Sequence, residues 1–97
     1  MESKLAFGTA LRLLRKKRGL TQEDFDAVTG RTYLSALERG LKSPTLEKVN
    51  ELASVLGVHP LSLLSLSYVQ GEPSEVMNVL EKLKQELQSL QSPSNQA

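Results

Sequence analysis

The side chains best suited to chemistry in this sequence fall between residues 21 and 43, and they are donors and cations, not nucleophiles. Gln22 stands at the start of a short helical segment, beside backbone N–H groups that have no partner within the helix and where the dipole favours an anion. Arg31, Thr32 and Ser35 belong to a second short segment; if Leu34 and Leu37 face inward, helical spacing turns these three outward. A guanidinium grips guanine bidentately or pairs with phosphate, and threonine meets phosphate or a thymine methyl. Nothing comparable exists for catalysis. The one histidine, His59, precedes Pro60, a place that suits a helix cap better than a general base. No serine, histidine and acid stand at motif spacing, no glycine-rich phosphate loop appears, and no ligand cluster suggests a metal. The expectation is a binding protein without cofactor or metal, not an enzyme.

Those residues need elements to hold them. Over residues 5–18 apolar side chains at 7, 10, 11 and 14 make a helical stripe, and Gly19 stands where a left-handed cap ends a helix. Thr21 reads as the N-cap of the next helix, with Gln22 and Glu23 in its first turn. Thr29-Gly30 interrupts, and a helix over 31–39 follows that Gly40 ends. The stretch "LKSPT" is a loop in which Thr45, or Ser43 with Pro44 after it, caps a helix. Leu46, Val49, Leu52, Ala53 and Leu56 recur at steps of three and four up to Gly57. Pro60 opens a short helix carrying Leu61, Leu63 and Leu64. No alternation of strand type persists, so the fold class is all-α: five short helices within the first 68 residues, packed as a small globule.

Composition agrees with that. Ninety-seven residues allow one domain with a modest core. There are two Phe, two Tyr and no Trp, so Leu and Val supply most of the buried area. The absence of cysteine removes disulfides and thiolate sites and fits a reducing cytoplasm. No apolar run nears the ~20 residues that span a membrane, and no signal-peptide core opens the chain. The net charge of +1 conceals an asymmetry: nine Lys/Arg against five acids up to residue 45, then three Lys against six Glu. Only the front half is suited to a polyanion. Lys16, Lys17 and Arg18 spread around their helix and read mostly as a solvated face.

Three pieces, "LRLLRKKRGLTQEDF", "RTYLSALERG" and "SPTLEKVNELASVLGVHPLSLL", resemble the Xre or phage-repressor-like (Cro-type) helix-turn-helix family over about residues 5–66. The resemblance implies a five-helix lambda-repressor-like DNA-binding domain. Its third helix would enter the major groove, presenting Arg31, Thr32, Tyr33, Ser35, Ala36 and Arg39. Ala36 would give only a small apolar contact, and Tyr33 either reaches phosphate or packs on the preceding helix. Gln22 would bond a phosphate, and Lys42 and Ser43 would follow the backbone. Arg15 and Glu38 match residues that form an internal salt bridge. With base contacts this few, specificity rests partly on DNA shape. One departure stands out: the turn is about two residues shorter than usual. Asp26 occupies a position where the family prefers alanine. Either the second helix stops before Val28, or the register shifts and Ala27 does the packing.

After "QGEPS" a last helix is expected over 74–91. In it Val76, Leu80, Leu83, Leu87 and Leu90 step by 4, 3, 4 and 3, a heptad seam too short for an independent coiled coil. It either completes a homodimer interface or folds back on its own domain. The expected organisation is a DNA-binding domain over 1–68, a linker over 69–73, a dimerisation helix over 74–91 and a disordered tail over 92–97. The function implied is a sequence-specific transcriptional regulator, commonly a repressor, acting as a homodimer on an inverted repeat of double-stranded DNA. The alternative is an antitoxin-like or protein-interaction module that uses the same scaffold with a protein partner.

Overall fold

The computed structural model of the chain describes residues 2–91, all of whose regular elements are helical. Helix α1 runs Ser3–Lys17, a 3₁₀ turn Gln22–Phe25, α2 Arg31–Glu38, α3 Leu46–Leu56, α4 Pro60–Tyr68, a second 3₁₀ turn Pro73–Glu75 and α5 Val76–Gln91. The tail expected at 92–97 lies outside the described residues. No single helix among them is long and apolar enough to cross a membrane.

Each boundary has a local cause. Glu2 caps α1, its carboxylate accepting from the N–H groups of Lys4 (2.8 Å) and Leu5 (3.3 Å). Thr45, not Ser43, caps α3, accepting from Lys48 N–H at 3.1 Å. His59 caps α4 as expected: its Nδ1 accepts from Leu61 N–H at 3.0 Å, with Pro60 at the first helical position. Helix α2 ends in a paired wrap. Gly40 N–H bonds the Leu37 carbonyl (3.1 Å) and Leu41 N–H the Ala36 carbonyl (2.9 Å). Gly40 takes φ 76°, and a Cβ there would stand 2.8 Å from Leu5 Cα, so backbone conformation and space both require glycine. The same wrap closes α1 at Gly19 and α3 at Gly57, while at the end of α4 the left-handed position is held by Gln70 (φ 55°).

Helix α1 is the hub, packing against both α4 and α2. It contributes Phe7, Ala10 and Leu11 to a core completed by Phe25, Leu34, Leu37, Val49, Leu52, Leu56, Leu63 and Leu66. Leucine dominates that set, and valine enters it only at Val49. Helix α1 meets α2 closely: a Cβ on Gly8 would collide with the carbonyl oxygens of Leu37 and Glu38. Only the missing side chain allows the approach.

The second helix follows the first of the two alternatives left open by its short turn. It is the 3₁₀ turn Gln22–Phe25, which stops before Val28. Thr21 and Asp24 form a capping box, the Asp24 carboxylate accepting from Thr21 N–H at 2.7 Å and from its hydroxyl at 3.2 Å. Phe25 is driven fully into the core, while Asp26 and Ala27 are exposed, so no register shift hands the packing role to Ala27. A short apolar anchor followed by Asp and a Thr-Gly break leaves no second turn to propagate.

Candidate nucleic-acid interface

Three elements converge on the base of α2. From α1, Arg15 reaches Glu38 in the last turn of α2, with Nε to Oε2 at 2.6 Å and Nη2 to Oε1 at 3.0 Å. Its Nη1 also donates to the Leu20 carbonyl at 3.1 Å. Both side chains are nearly withdrawn from water, at 11% and 5% exposed, and no buried polar side-chain atom among the described residues lacks a partner. The hydrogen bond from Arg15 to Glu38 holds the guanidinium above its ordinary pKa against the opposing effect of burial, and the Glu38 charge adds to it. The pair expected between Arg15 and Glu38 is therefore present, bidentate and buried.

The same carboxylate takes a third donor. Gln22 Nε2 lies 3.2 Å from Glu38 Oε1, joining the 3₁₀ turn to α2. The half-buried Gln22 thus points inward with one amide hydrogen, leaving the second amide hydrogen and the carbonyl oxygen for other partners. Sequence reasoning placed Gln22 at a helix start but missed this bond, which depends on how closely the short turn folds back.

Along α2 the expected residues divide. Arg31 and Thr32 are exposed at its first turn, where Gly30 supplies no side-chain cap to the open N–H groups. Arg39 is exposed at the far end, and Ser35 is half-buried between them. Ala36 is not outward: it is 7% exposed, because the chain leaving α2 wraps back onto that turn through the Leu41 to Ala36 bond. Its expected contact is therefore withdrawn from the surface. Tyr33 is half-buried and packed against the core. Lys42 and Ser43 stand exposed in the loop before α3. Lys16, Lys17 and Arg18 are exposed around the end of α1.

Three contacts here had no signal in spacing. Arg31 lies between acids of the preceding segment, Nη1 3.6 Å from Glu23 Oε1 and Nη2 3.6 Å from Asp26 Oδ2. Lys48, on α3, sends its ammonium to the Val28 carbonyl at the end of the shortened segment. Helix α5 lies apart from this region. None of its residues is buried, and along its seam Val76 is half-buried while Leu87 and Leu90 are 58% and 77% exposed.

Comparison with known proteins agrees with this architecture. The helix-turn-helix family model matches residues 11–63. The chain is 40% identical over 67 residues to y4dJ, an uncharacterized HTH-type transcriptional regulator of Sinorhizobium fredii, covering 67% of this chain and 87% of that one. It is 33% identical over 69 residues to the control protein C.BamHI of Bacillus amyloliquefaciens, covering 68% and 85%. It is 37% identical over 89 residues to the cryptic phage CTXphi transcriptional repressor RstR of Vibrio cholerae, covering 89% and 72%. No solved structure matches it at a significant level. The matched span begins inside α1, runs through the 3₁₀ turn and α2 and ends within α4, and the chain belongs to the helix-turn-helix family.

Proposed function

We propose that the chain is a DNA-binding transcriptional regulator that acts as a homodimer on an inverted repeat and works chiefly as a repressor in the cytoplasm. The observation that carries this reading is the exposed first turn of α2, with Arg31 and Thr32 on an uncapped helix start, set in a fold of this family. The buried Arg15–Glu38 pair and its bond to Gln22 tie the last turn of α2 to α1 and to the 3₁₀ turn, which fixes the helix on the domain. In the proposed complex α2 enters the major groove, Arg31 and Thr32 meet base edges, and Gln22 offers its remaining amide hydrogen to a phosphate. Lys42, Ser43 and Arg39 lie along the backbone. With Ala36 and Tyr33 packed inward, few side chains are left to read bases, which increases the share of specificity carried by DNA shape.

The proposed organisation keeps the domain within residues 1–68, with 69–73 as connection and 74–91 as the dimerisation helix. On the seam of Val76, Leu80, Leu83, Leu87 and Leu90, the four leucines are exposed and Val76 is half-buried, which supports pairing with a second copy. Such a dimer presents two α2 helices about 34 Å apart on successive major grooves. Among the relatives, one is named a phage transcriptional repressor, which favours repression.

Selection of bound duplexes from a random pool, followed by gel shifts at two salt concentrations, tests this. The reading expects an inverted repeat to emerge and affinity to fall steeply with salt, as condensed counterions are released. Lys42→Ala is expected to reduce the log–log salt slope by about two, one phosphate per subunit. A weak response indifferent to salt would instead favour the protein-interaction module.

A further inference from the structure

Arg31 opens the reading helix between two carboxylates that both come from the chain just before it. Each terminal nitrogen of the guanidinium faces a different acid at 3.6 Å, Glu23 on one side and Asp26 on the other. All three side chains are more than half exposed, so the pairs add little to stability. Their effect on charge is larger. Residues 21–31 hold three acids (Glu23, Asp24 and Asp26) against one cation, a net of −2 beside a surface proposed to meet phosphate. Asp24 is occupied by Thr21, which leaves Glu23 and Asp26 to govern Arg31.

We propose that Glu23 and Asp26 are specificity-setting residues, which hold Arg31 for a guanine edge and keep the phosphate backbone away from this end of α2. The inference rests on the reading of α2 as the helix in the major groove. A free arginine pairs with any phosphate and so gains affinity without discrimination. Between two carboxylates that exchange is opposed, because an incoming phosphate meets two like charges for one cation. Guanine is different. Its O6 and N7 are neutral acceptors, and each terminal nitrogen of arginine carries two hydrogens, so one remains for the base while the other stays with its acid. The acids also restrict a long side chain that would otherwise sample many rotamers, which lowers the ordering cost when it docks.

The test compares wild type with the Glu23→Gln/Asp26→Asn double variant and with Arg31→Ala. Each is measured on the duplex selected by wild type and on a non-specific duplex of equal length, between 50 and 200 mM salt. The double variant is expected to bind the non-specific duplex about tenfold more tightly and with a steeper salt dependence. Its ratio of specific to non-specific affinity should fall at least about tenfold, with a guanine preference relaxed at one position of each half-site. Arg31→Ala should lose the same guanine preference, and all three proteins should melt alike. Equal tightening on both duplexes, or unchanged binding to both, overturns the inference, as does a guanine preference that survives Arg31→Ala. If wild type selects no sequence at all, the regulator reading itself fails, an outcome separate from the others.

Discussion

The Lys48 ammonium lies 2.5 Å from the Val28 carbonyl oxygen and 2.7 Å from Glu51 Oε1, so α3 holds the chain that follows the 3₁₀ turn. A longer second helix would use its own following N–H groups for such a carbonyl. Here a side chain twenty residues later does that work. Lys48→Met keeps the aliphatic stem and removes the donor, and is expected to destabilise by about 1–3 kcal/mol. Urea denaturation checks this; an unchanged midpoint means that water replaces the ammonium without loss.

Removing Glu38 should be more damaging. Glu38→Ala leaves Arg15 buried without its counter-charge and releases Gln22, with an expected loss of about 3 kcal/mol. A double replacement, Arg15→Met with Glu38→Leu, should recover most of it, since no charge is then stranded. Should the single variant melt like wild type, the pair is not the tie that its geometry indicates. The raised pKa of Arg15 gives the sign with pH. A cation favoured in the folded state contributes fully below the ordinary arginine value and fades only above it. Arg15 therefore adds no pH dependence across the neutral range.

Gln70 invites a stabilising change. It holds a left-handed φ of 55° at the end of α4, in a position that glycine fills at the ends of α1, α2 and α3. Gln70→Gly should relieve about 1 kcal/mol of backbone strain, partly offset by the entropy of a freer unfolded chain. A small rise in melting temperature is expected; a fall would show that the Gln70 side chain contributes more than its backbone costs.

His59 caps α4 through Nδ1. His59→Ala is expected to cost about 1 kcal/mol, and His59→Asn, which keeps an acceptor, should restore most of that. Equal losses in the two variants would place the contribution in packing, away from the cap.

The α5 seam makes an association prediction. Leu83→Asp or Leu87→Asp should convert the proposed dimer to monomer in sedimentation at micromolar concentration, with little change in the melting of the domain, since neither side chain is buried. A wild-type chain already monomeric under those conditions would remove the dimer from the mechanism.

How much of this was legible in the chain depended on the range of each interaction. Caps are local, so His59, Gly40 and Gly57 declared themselves through residue type and spacing, and the cap of α3 was narrowed to Thr45 or Ser43. The Arg15–Glu38 pair followed from resemblance, since nothing within either helix announces a partner 23 positions away. The short turn left two registers open, and the choice fell to tertiary packing: Phe25 fills the core and Ala27 does not. Ala36 was misplaced because a helical wheel assumes one buried face, whereas α2 is also covered by the chain that leaves it. The acids around Arg31 and the Lys48 tie escaped for the same reason: their partners meet across a turn whose shape spacing does not specify.

Gly8 has a consequence for how such a protein changes over time. Because α1 touches the end of α2 backbone to backbone, the seat of α2 is set by an absent side chain, which the residues on its far side do not alter. Arg31, Thr32 and the acids before them lie on exposed surface and can be exchanged without disturbing that seat. The exposed surface can therefore change one residue at a time, while Gly8 itself admits no drift.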